Sequence, residues 1–396
     1  ARLYLWAGVE LQTPAMTEVA IDTIEYLLSR LEHPDGGFYS AEDADSEGEE
    51  GKYYTWTDEE FRRVAGDDAD VAAAYFGVTP EGNFEGKNVL HRARAIQDVA
   101  DELGLGVEEA AEAVRRAAGA LLERRKSRVL PGLDDKVVAA WNGLAIRALA
   151  EAGAVLGEPR YTEAARRAAR FVVENMIDDG GRLHRSWAKG RLGPTGVLED
   201  HGAMAVGLFE LYATTGETEW FDRAIALVDA IVERFADPSG GFFTTSEDGE
   251  RLVVRPKDVF DNPAPSGNSL AAEALLLASS YTGDPSYWER AEATVRAAGM
   301  IIERAPHAVG HLLSVLVSLL DGPREVAVIG PEAESLSRVV WERYRPGVVV
   351  AHSTAPAAHP PLLAGRGRPT ETLAYVCRRF VCDAPVSTAE ALRAAL

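Results

Sequence analysis

The amino-acid sequence predicts a mainly α protein, an (α/α)6 toroid of helical hairpins that is followed by a small C-terminal α/β appendix. Three observations predict this fold. Pairs of helices recur about every sixty residues, a glycine-rich motif follows several of the pairs, and the residues after 322 change to β-branched runs. We therefore divide the chain into a toroid over residues 1–322, whose first segment we expect to be missing, and an appendix over residues 323–396 that packs on it.

The helix pairs are recognised by apolar stripes at helical spacing and by the turns between them. In the clearest pair, a helix over residues 141–156 ends at Gly157, Pro159 forces a turn, and a second helix covers residues 161–176. The residues between 107 and 125 are also rich in strong helix formers. The other predicted pairs are residues 2–11 with 16–31, 200–215 with 219–235, and 269–281 with the 290s.

A glycine motif follows the second helix of three pairs. Its copies are Gly36-Gly37-Phe38, Gly180-Gly181-Arg182 and Gly240-Gly241-Phe242. Glycine is suited to the end of a helix because it adopts a positive φ without a steric penalty. The long polar loops that surround these motifs favour a closed ring of hairpins, with loops walling a central pocket, over a flat solenoid.

The predicted appendix is built from strands and short helices. Strands are expected over residues 324–329, 347–351 and 372–376, with a helix over residues 333–344 between the first two. The segment Ser387-Thr388-Ala389-Glu390 has the pattern of a capping box and predicts a last short helix.

Composition excludes several classes of function. The chain carries 62 acidic and 41 basic residues, a net charge of −21, which argues against a nucleic-acid backbone or an anionic membrane surface as its partner. Its apolar stretches are shorter than the roughly 18 residues of a membrane span. Two cysteines in the whole chain indicate a reducing compartment, so we expect a cytoplasmic protein. We predict no cofactor.

Residues at the predicted starts of the inner helices are candidates for a shared pocket. The motifs Trp141-Asn142-Gly143, Asp200-His201-Gly202 and Ser266-Gly267-Asn268 each combine a capping residue with a less usual neighbour. Capping alone would explain each of them, but helix N-termini also hold hydroxyls and anions through free N–H groups. We predict that the following side chains face one cavity at the loop-rich end: Asp43, Trp141, Asn142, Asp200, His201, Ser266 and Asn268.

Catalytic roles are assigned by residue chemistry. Asp43 and Asp200 are the candidate carboxyl pair, and His184 is the candidate proton shuttle because histidine titrates near neutral pH. Trp56, Trp141 and Trp187 are candidate sugar-binding rings, although large aromatic residues are more often in the core. Asn142, His201, Ser266 and Asn268 complete the predicted substrate-binding set. The acidic loop around Asp43 could hold a hard cation or be a solvated loop; its spacing is not that of an EF-hand, and we predict no metal site.

Several motifs together resemble the YyaL / spermatogenesis-associated, thioredoxin-domain-containing family. They are GGFYSAEDADSEG at 36–48, DDK at 134–136, WNGL at 141–144, LED at 198–200, RPKD at 255–258, PSGNS at 265–269 and AYVC at 374–377. The resemblance implies an (α/α)6 domain similar to N-acylglucosamine 2-epimerases and six-hairpin glycosidases. It also implies a thioredoxin-like partner domain, which is missing from this chain.

Two functions follow as expectations. The first is a carbohydrate-active enzyme, either a sugar epimerase or isomerase or a glycosidase, with a small sugar-like ligand bound at the loop-rich end. The alternative is a non-catalytic ligand-binding or scaffolding domain that works with the thioredoxin-like domain. Cys377 and Cys382 are expected to be reduced and structural, because residues five apart on an extended strand point to opposite faces. A disulfide, which would need a turn between them, and metal binding are the alternatives.

Overall fold

The computed structural model describes residues 1–249, 253–368 and 370–396, and about 55% of the chain is helical. Two compact units are present. The first is formed by residues 1–40 and 135–396, and the second by residues 41–134. The C-terminal α/β segment belongs to the first of these units, and the boundary at residue 322 stays a prediction.

The α-helices, in chain order, are α1 (Arg2–Glu10), α2 (Pro14–Tyr26), α3 (Asp58–Ala65), α4 (Ala69–Phe76), α5 (Ile96–Leu103), α6 (Val107–Lys126), α7 (Ala139–Leu156), α8 (Pro159–Asn175), α9 (Leu198–Thr215), α10 (Thr218–Phe235), α11 (Gly267–Thr282), α12 (Pro285–Ala297), α13 (Gly299–Arg304), α14 (Gly310–Asp321), α15 (Ala333–Ser337) and α16 (Ala389–Ala395). The strands are β1 (Tyr39–Glu42), β2 (Asp45–Ser46), β3 (Glu49–Glu50), β4 (Leu133–Val138), β5 (Ser186–Ala188), β6 (Arg191–Leu192), β7 (Arg324–Ile329), β8 (Val348–Ser353), β9 (Leu373–Arg378) and β10 (Val381–Cys382). Among the described residues, no helix is long and apolar enough to cross a membrane.

The first unit has the predicted architecture of an (α/α) toroid. Helix pairs α1–α2, α7–α8, α9–α10 and α11–α12 are hairpins, and α7, α9, α11 and α14 pack side by side as an inner layer. The inner helices α7, α9 and α11 end at Gly157, Gly216 and Gly283, each with a positive φ. The predicted helix boundaries are correct to within about two residues for these three.

Glycines let two inner helices approach very closely. A Cβ atom added to Gly207 of α9 would lie 2.3 Å from the carbonyl oxygen of Gly143 of α7. A Cβ on Gly143 would in turn meet the backbone of Ala203 at 2.5 Å. The two backbones are therefore in direct contact, and no larger residue fits at either position without moving a helix.

The C-terminal segment forms a mixed sheet in the order β10-β9-β7-β8, with β8 parallel and β9 antiparallel to β7. Alternate residues of β7 serve two cores: Val326 and Val328 pack with α15 and α16, while Ala327 and Ile329 join the core of the helical layer. The predicted helix over residues 333–344 is shorter, since α15 is followed by a 3₁₀ helix, Arg338–Glu342.

Cys377 and Cys382 form a disulfide, so the expectation that they are reduced is wrong. They are directly paired across the antiparallel strands β9 and β10, with Cα atoms 3.8 Å apart. The chain reverses at Arg379 and Phe380, both of which have positive φ values. This tight turn places residues five apart on the same face of a hairpin, which an extended strand would not do.

The second unit, residues 41–134, consists of α3 to α6 and the short β2–β3 hairpin. Thr57 caps α3 by accepting a hydrogen bond from the N–H of Glu60. Arg128 stacks 4.0 Å above the ring of Trp56 and donates to three backbone carbonyls, which ties the loop after α6 to this core.

Candidate functional site

Asn142 and Asn268 hold the glycine motifs against the inner helices. The N–H of Phe38 donates to Asn142 Oδ1 at 2.8 Å, and Asn142 Nδ2 donates to the carbonyl oxygens of Phe38 and Val138 at 3.0 and 2.9 Å. Asn268 repeats this arrangement with Phe242, at 2.8 and 2.9 Å. Both amides are buried and bonded to backbone, which supports a structural role for them, and their role in substrate binding stays a prediction.

The side chains of Asp200 and His201, at the start of α9, also form hydrogen bonds with backbone groups. Asp200 accepts hydrogen bonds from the N–H groups of Val197 and Ala140 at 2.9 and 3.2 Å, and Arg185 lies 3.2 Å away. Burial raises the pKa of Asp200 to about 6, although Arg185 opposes the shift. Burial also lowers the pKa of His201 to about 4, so its ring is neutral at neutral pH.

Ser266 caps α11 as the sequence predicts, and a missed residue organises this cap. Ser266 Oγ accepts from the N–H of Ser269 at 3.2 Å, and Asp261 Oδ1 accepts from the Ser266 N–H and the Ser269 hydroxyl at 2.8 and 2.9 Å. The other oxygen of Asp261 accepts from the N–H of His311 at 2.7 Å. Asp261 thus links the starts of α11 and α14.

The three predicted tryptophans lie in different surroundings. Trp56 is 2% exposed in the core of the second unit, where large aromatic residues are most often structural, and its role in substrate binding stays a prediction. Trp187 packs edge-on against Phe171, with ring centroids 5.1 Å apart. Trp141 is 48% exposed at the start of α7.

His184 and Asp43 complete the predicted catalytic set. His184 Nδ1 lies 2.8 Å from the carbonyl oxygen of Gly193, and Nε2 lies 3.2 Å from Asp178 Oδ2, so both ring nitrogens are engaged within their own loop. Asp43 is exposed in the second unit, where its Oδ1 accepts from the N–H of Asp45 at 3.2 Å. The pairing of Asp43 with Asp200 stays a prediction.

A cavity of about 130 Å³ lies on the inner side of the helical layer, and we call it the central cavity. Helices α1, α7, α9, α11 and α14 contribute to its wall, together with the segment that leads into β8. Six of its side chains form what we call the central charge cluster: Arg2, Arg147, Glu151, Glu210, Glu273 and His311. The sequence analysis missed all six.

Arg147 is the centre of this cluster and contacts three carboxylates. Its two terminal nitrogens bind the two oxygens of Glu273 at 2.7 and 3.0 Å, and its Nε lies 3.4 Å from Glu151 and 3.6 Å from Glu210. Glu151 is held further by Arg2 at 2.7 Å and by the indole N–H of Trp6 at 2.6 Å. A buried arginine is stable only with such compensation, because an unpaired charge is costly away from water.

Two glutamates of the cluster have opposite protonation behaviour. Burial and the neighbouring Glu151 raise the pKa of Glu210 to about 8, against the opposing effect of Arg147. Burial would also raise the pKa of Glu273, but Arg147 and His311 outweigh it and hold this pKa well below its usual range. At neutral pH these shifts favour a protonated Glu210 and an ionised Glu273, and His311 Nε2 lies 2.7 Å from Glu273 Oε2.

A sequence signal for this cluster exists. The inner helices α7, α9 and α11 are apolar around almost their whole circumference, which is typical of a helix buried on all sides. Glu210 and Glu273 interrupt such runs as single charged residues, and Arg147 and Glu151 do so as a pair four residues apart. Charges in these positions must be buried, so they must find partners on the neighbouring inner helices.

No group of three or more His, Cys, Asp or Glu side chains in the described part of the chain is arranged to hold a metal ion.

No family model matches the sequence. Among solved structures, the chain is similar to a family 76 α-mannanase of Bacteroides thetaiotaomicron, with a TM-score of 0.40, 12% identity and coverage of 77% of this chain and 93% of that one. It is also similar to cellobiose 2-epimerase of Bacillus thermoamylovorans, with a TM-score of 0.34, 13% identity and coverage of 71% and 72%. Both likenesses are distant.

Sequence comparison gives closer relatives. The human spermatogenesis-associated protein 20 is 30% identical over 94% of this chain and 53% of its own length. The mouse protein of the same name is 30% identical over 84% and 47%, and an uncharacterized protein of Caenorhabditis elegans is 28% identical over 94% and 56%. The chain spans about half the length of these relatives. Over the region that it shares with them, the chain is homologous to the proteins named spermatogenesis-associated protein 20, in agreement with the resemblance of its motifs.

Proposed function

We propose that this chain is a carbohydrate-active domain that transfers protons on a small sugar in the central cavity. The observation that carries the proposal is the contact of the buried Arg147 with both Glu210 and Glu273, at 3.6 and 2.7 Å, in an environment that shifts the pKa values of the two glutamates in opposite directions. Acid–base catalysis needs one group that donates a proton and another that accepts it at the same pH. Glu210 supplies the protonated group, and the cluster around Glu273 supplies the other.

His311 is the proposed base. A carboxylate that binds one ring nitrogen of a histidine orients the ring and stabilises the imidazolium that forms when the other nitrogen takes a proton. Glu273 is placed to do this at 2.7 Å, and Arg147 fixes Glu273 through both carboxylate oxygens. Removal of a hydrogen next to a sugar carbonyl by His311, and return of a proton from Glu210, would epimerise or isomerise the sugar.

Glycoside hydrolysis is the related possibility within the same site. A protonated Glu210 would serve there as the general acid for the leaving oxygen. The volume of about 130 Å³ favours a reaction on a monosaccharide, because sites for larger ligands usually enclose ~300 Å³ or more. We therefore place epimerisation or isomerisation first.

A catalytic role of Asp43, Asp200 and His184 stays a second prediction for the same class of reaction. The raised pKa of Asp200 would suit a general acid. Its two backbone hydrogen bonds support a structural role instead, and they are the reason why we prefer the central cavity.

The test follows hydrogen exchange at the carbon next to the sugar carbonyl. The chain is incubated with a panel of aldoses in D₂O, and loss of the C2 proton signal is recorded by NMR. We expect exchange with at least one sugar, and loss of exchange in Glu210→Gln and His311→Asn. The matched control is Glu199→Gln, on the same helix as Glu210 but outside the cavity, and it should keep the activity.

Two results would contradict this assignment. Exchange that persists in Glu210→Gln and His311→Asn but is lost in Asp200→Asn would move the reaction to the helix starts. Binding of a sugar without exchange or hydrolysis would favour the alternative, a non-catalytic ligand-binding domain. The complete pairing of Arg147 with carboxylates supports that alternative.

A further inference from the structure

The central cavity has a basic lining in a strongly acidic chain. Among the described residues that line it, four are arginines and three are glutamates, whereas the whole chain has a net charge of −21. Arg2 and Arg147 are paired with the glutamates of the cluster. The remaining two arginines, Arg343 and Arg345, therefore give the cavity its excess positive charge.

Arg343 and Arg345 lie together on the segment that leads into β8, and neither forms an ion pair with a described carboxylate. Arg345 donates to the carbonyl oxygens of Val339 and Val340 at 3.3 and 2.9 Å. The nearby Glu342 is already held by two hydrogen bonds of 2.6 Å from Arg393. Burial lowers the pKa of Arg345 although the nearby carboxylate of Glu342 opposes the shift, so an additional anion beside Arg345 would stabilise this cation.

We propose that the ligand of the central cavity is an anionic sugar, a monosaccharide that carries a phosphate or a carboxylate. Arg343 and Arg345 would bind the anionic group, and the rest of the sugar would extend towards Glu210 and His311. Guanidinium groups suit this task because their planar N–H groups match the oxygens of phosphate and carboxylate. The inference rests on the proposed function for the position of the sugar, and it adds the class of substrate.

The experiment measures binding to the full 396-residue chain by calorimetry. The probes are glucose, glucose 6-phosphate, glucuronic acid and inorganic phosphate, each at low and at moderate salt. We expect at least one anionic sugar to bind about tenfold or more tightly than glucose, since a charge-assisted pair has about that effect. The preference should weaken with added salt. Tighter binding of glucose 6-phosphate would identify the anionic group as a phosphate, and tighter binding of glucuronic acid would identify it as a carboxylate.

Variants assign the preference to the two arginines. Arg343→Gln and Arg345→Gln should each reduce the preference for the anionic sugar about tenfold. Arg338→Gln is the matched control, because Arg338 lies on the same segment, is exposed, and pairs only with Glu334 among the described carboxylates. Arg345 also supports two carbonyls, so its variant is compared by melting temperature without ligand. If Arg345→Gln is unstable, the effect of Arg343→Gln on the preference for the anionic sugar is the deciding result.

The outcome separates this inference from the proposed function. Equal affinity for glucose and both anionic sugars, or an unchanged preference in Arg343→Gln, would overturn the inference. Exchange on neutral sugars without such a preference would leave the proposed function intact. Arginine-dependent binding of an anionic sugar without exchange would support the inference while the catalytic proposal fails.

Discussion

Replacing Glu210 with glutamine is expected to change how the stability of the chain depends on pH. In the folded chain the pKa of Glu210 is raised to about 8, whereas an exposed glutamate in the unfolded chain titrates near 4.5. Between these two pH values the folded state keeps a proton that the unfolded state has released. Stability therefore falls as the pH rises through this range, and the fall ends once the folded carboxyl has also ionised.

The size of the effect follows from the two pKa values. One pKa unit corresponds to about 1.4 kcal/mol, so the full difference between 4.5 and about 8 sets an upper limit near 5 kcal/mol. Relaxation around a buried charge reduces such effects, and we expect on the order of 2–4 kcal/mol. Glutamine is neutral and has almost the shape of a protonated glutamate, so Glu210→Gln should lose this pH dependence.

The assay is urea denaturation of the wild-type chain and of Glu210→Gln at several pH values from 5 to 9. The free energy of unfolding of the variant should exceed that of the wild type by an amount that grows by about 2–4 kcal/mol over this range. Glu334→Gln is the control, because Glu334 is 70% exposed and its removal should leave the two pH profiles parallel. If the pH profile of the free energy of unfolding of Glu210→Gln is also parallel to that of the wild type, Glu210 is already ionised in the folded chain and cannot donate a proton at neutral pH.

Three further predictions concern the scaffold. Asn142→Ala should lower the free energy of unfolding by about 2–4 kcal/mol, because it leaves buried backbone groups without hydrogen-bond partners. The variant should bind sugar with unchanged affinity, and a large loss of affinity would instead show that Asn142 contacts the ligand. In urea denaturation, Gly207→Ala should lower the free energy of unfolding by at least about 1–3 kcal/mol, because the added Cβ would meet the backbone of Gly143. Gly119 has open space around it, so Gly119→Ala should raise the free energy of unfolding by up to about 1 kcal/mol. Thiol titration of the denatured, unreduced chain should find no free thiol, and two titratable thiols would contradict the disulfide. Replacing both Cys377 and Cys382 with serine should lower the free energy of unfolding by only about 2 kcal/mol, because the loop that the disulfide closes is short.

The hairpins could be predicted because their signal is local. A stripe of apolar residues at helical spacing, a terminal glycine and a proline are sufficient to delimit helices such as α7 and α8. The compact unit over residues 41–134 was not predicted, because its short helices depend on contacts between segments distant in sequence. Trp56 illustrates the difficulty: only the folded unit reveals that Arg128 covers its ring.

The candidate site was only partly predictable for a related reason. Asn142 and Asn268 were recognised as unusual residues at helix starts, but the sequence does not reveal that both amides bind the backbone of a glycine motif. The central charge cluster combines residues from five helices, and its members lie up to 309 positions apart, from Arg2 to His311. A single acid in an all-apolar helix predicts burial, but its partner is known only after the helices are packed.

The central claim is that the cavity inside the helical layer is the ligand site, and a crystal structure of the chain with glucose 6-phosphate or glucuronic acid tests it most directly. We predict that the anionic group contacts Arg343 and Arg345 and that the sugar points towards Glu210 and His311. A sugar bound instead at the helix starts, against the exposed ring of Trp141, with the central cavity unoccupied, would contradict the account.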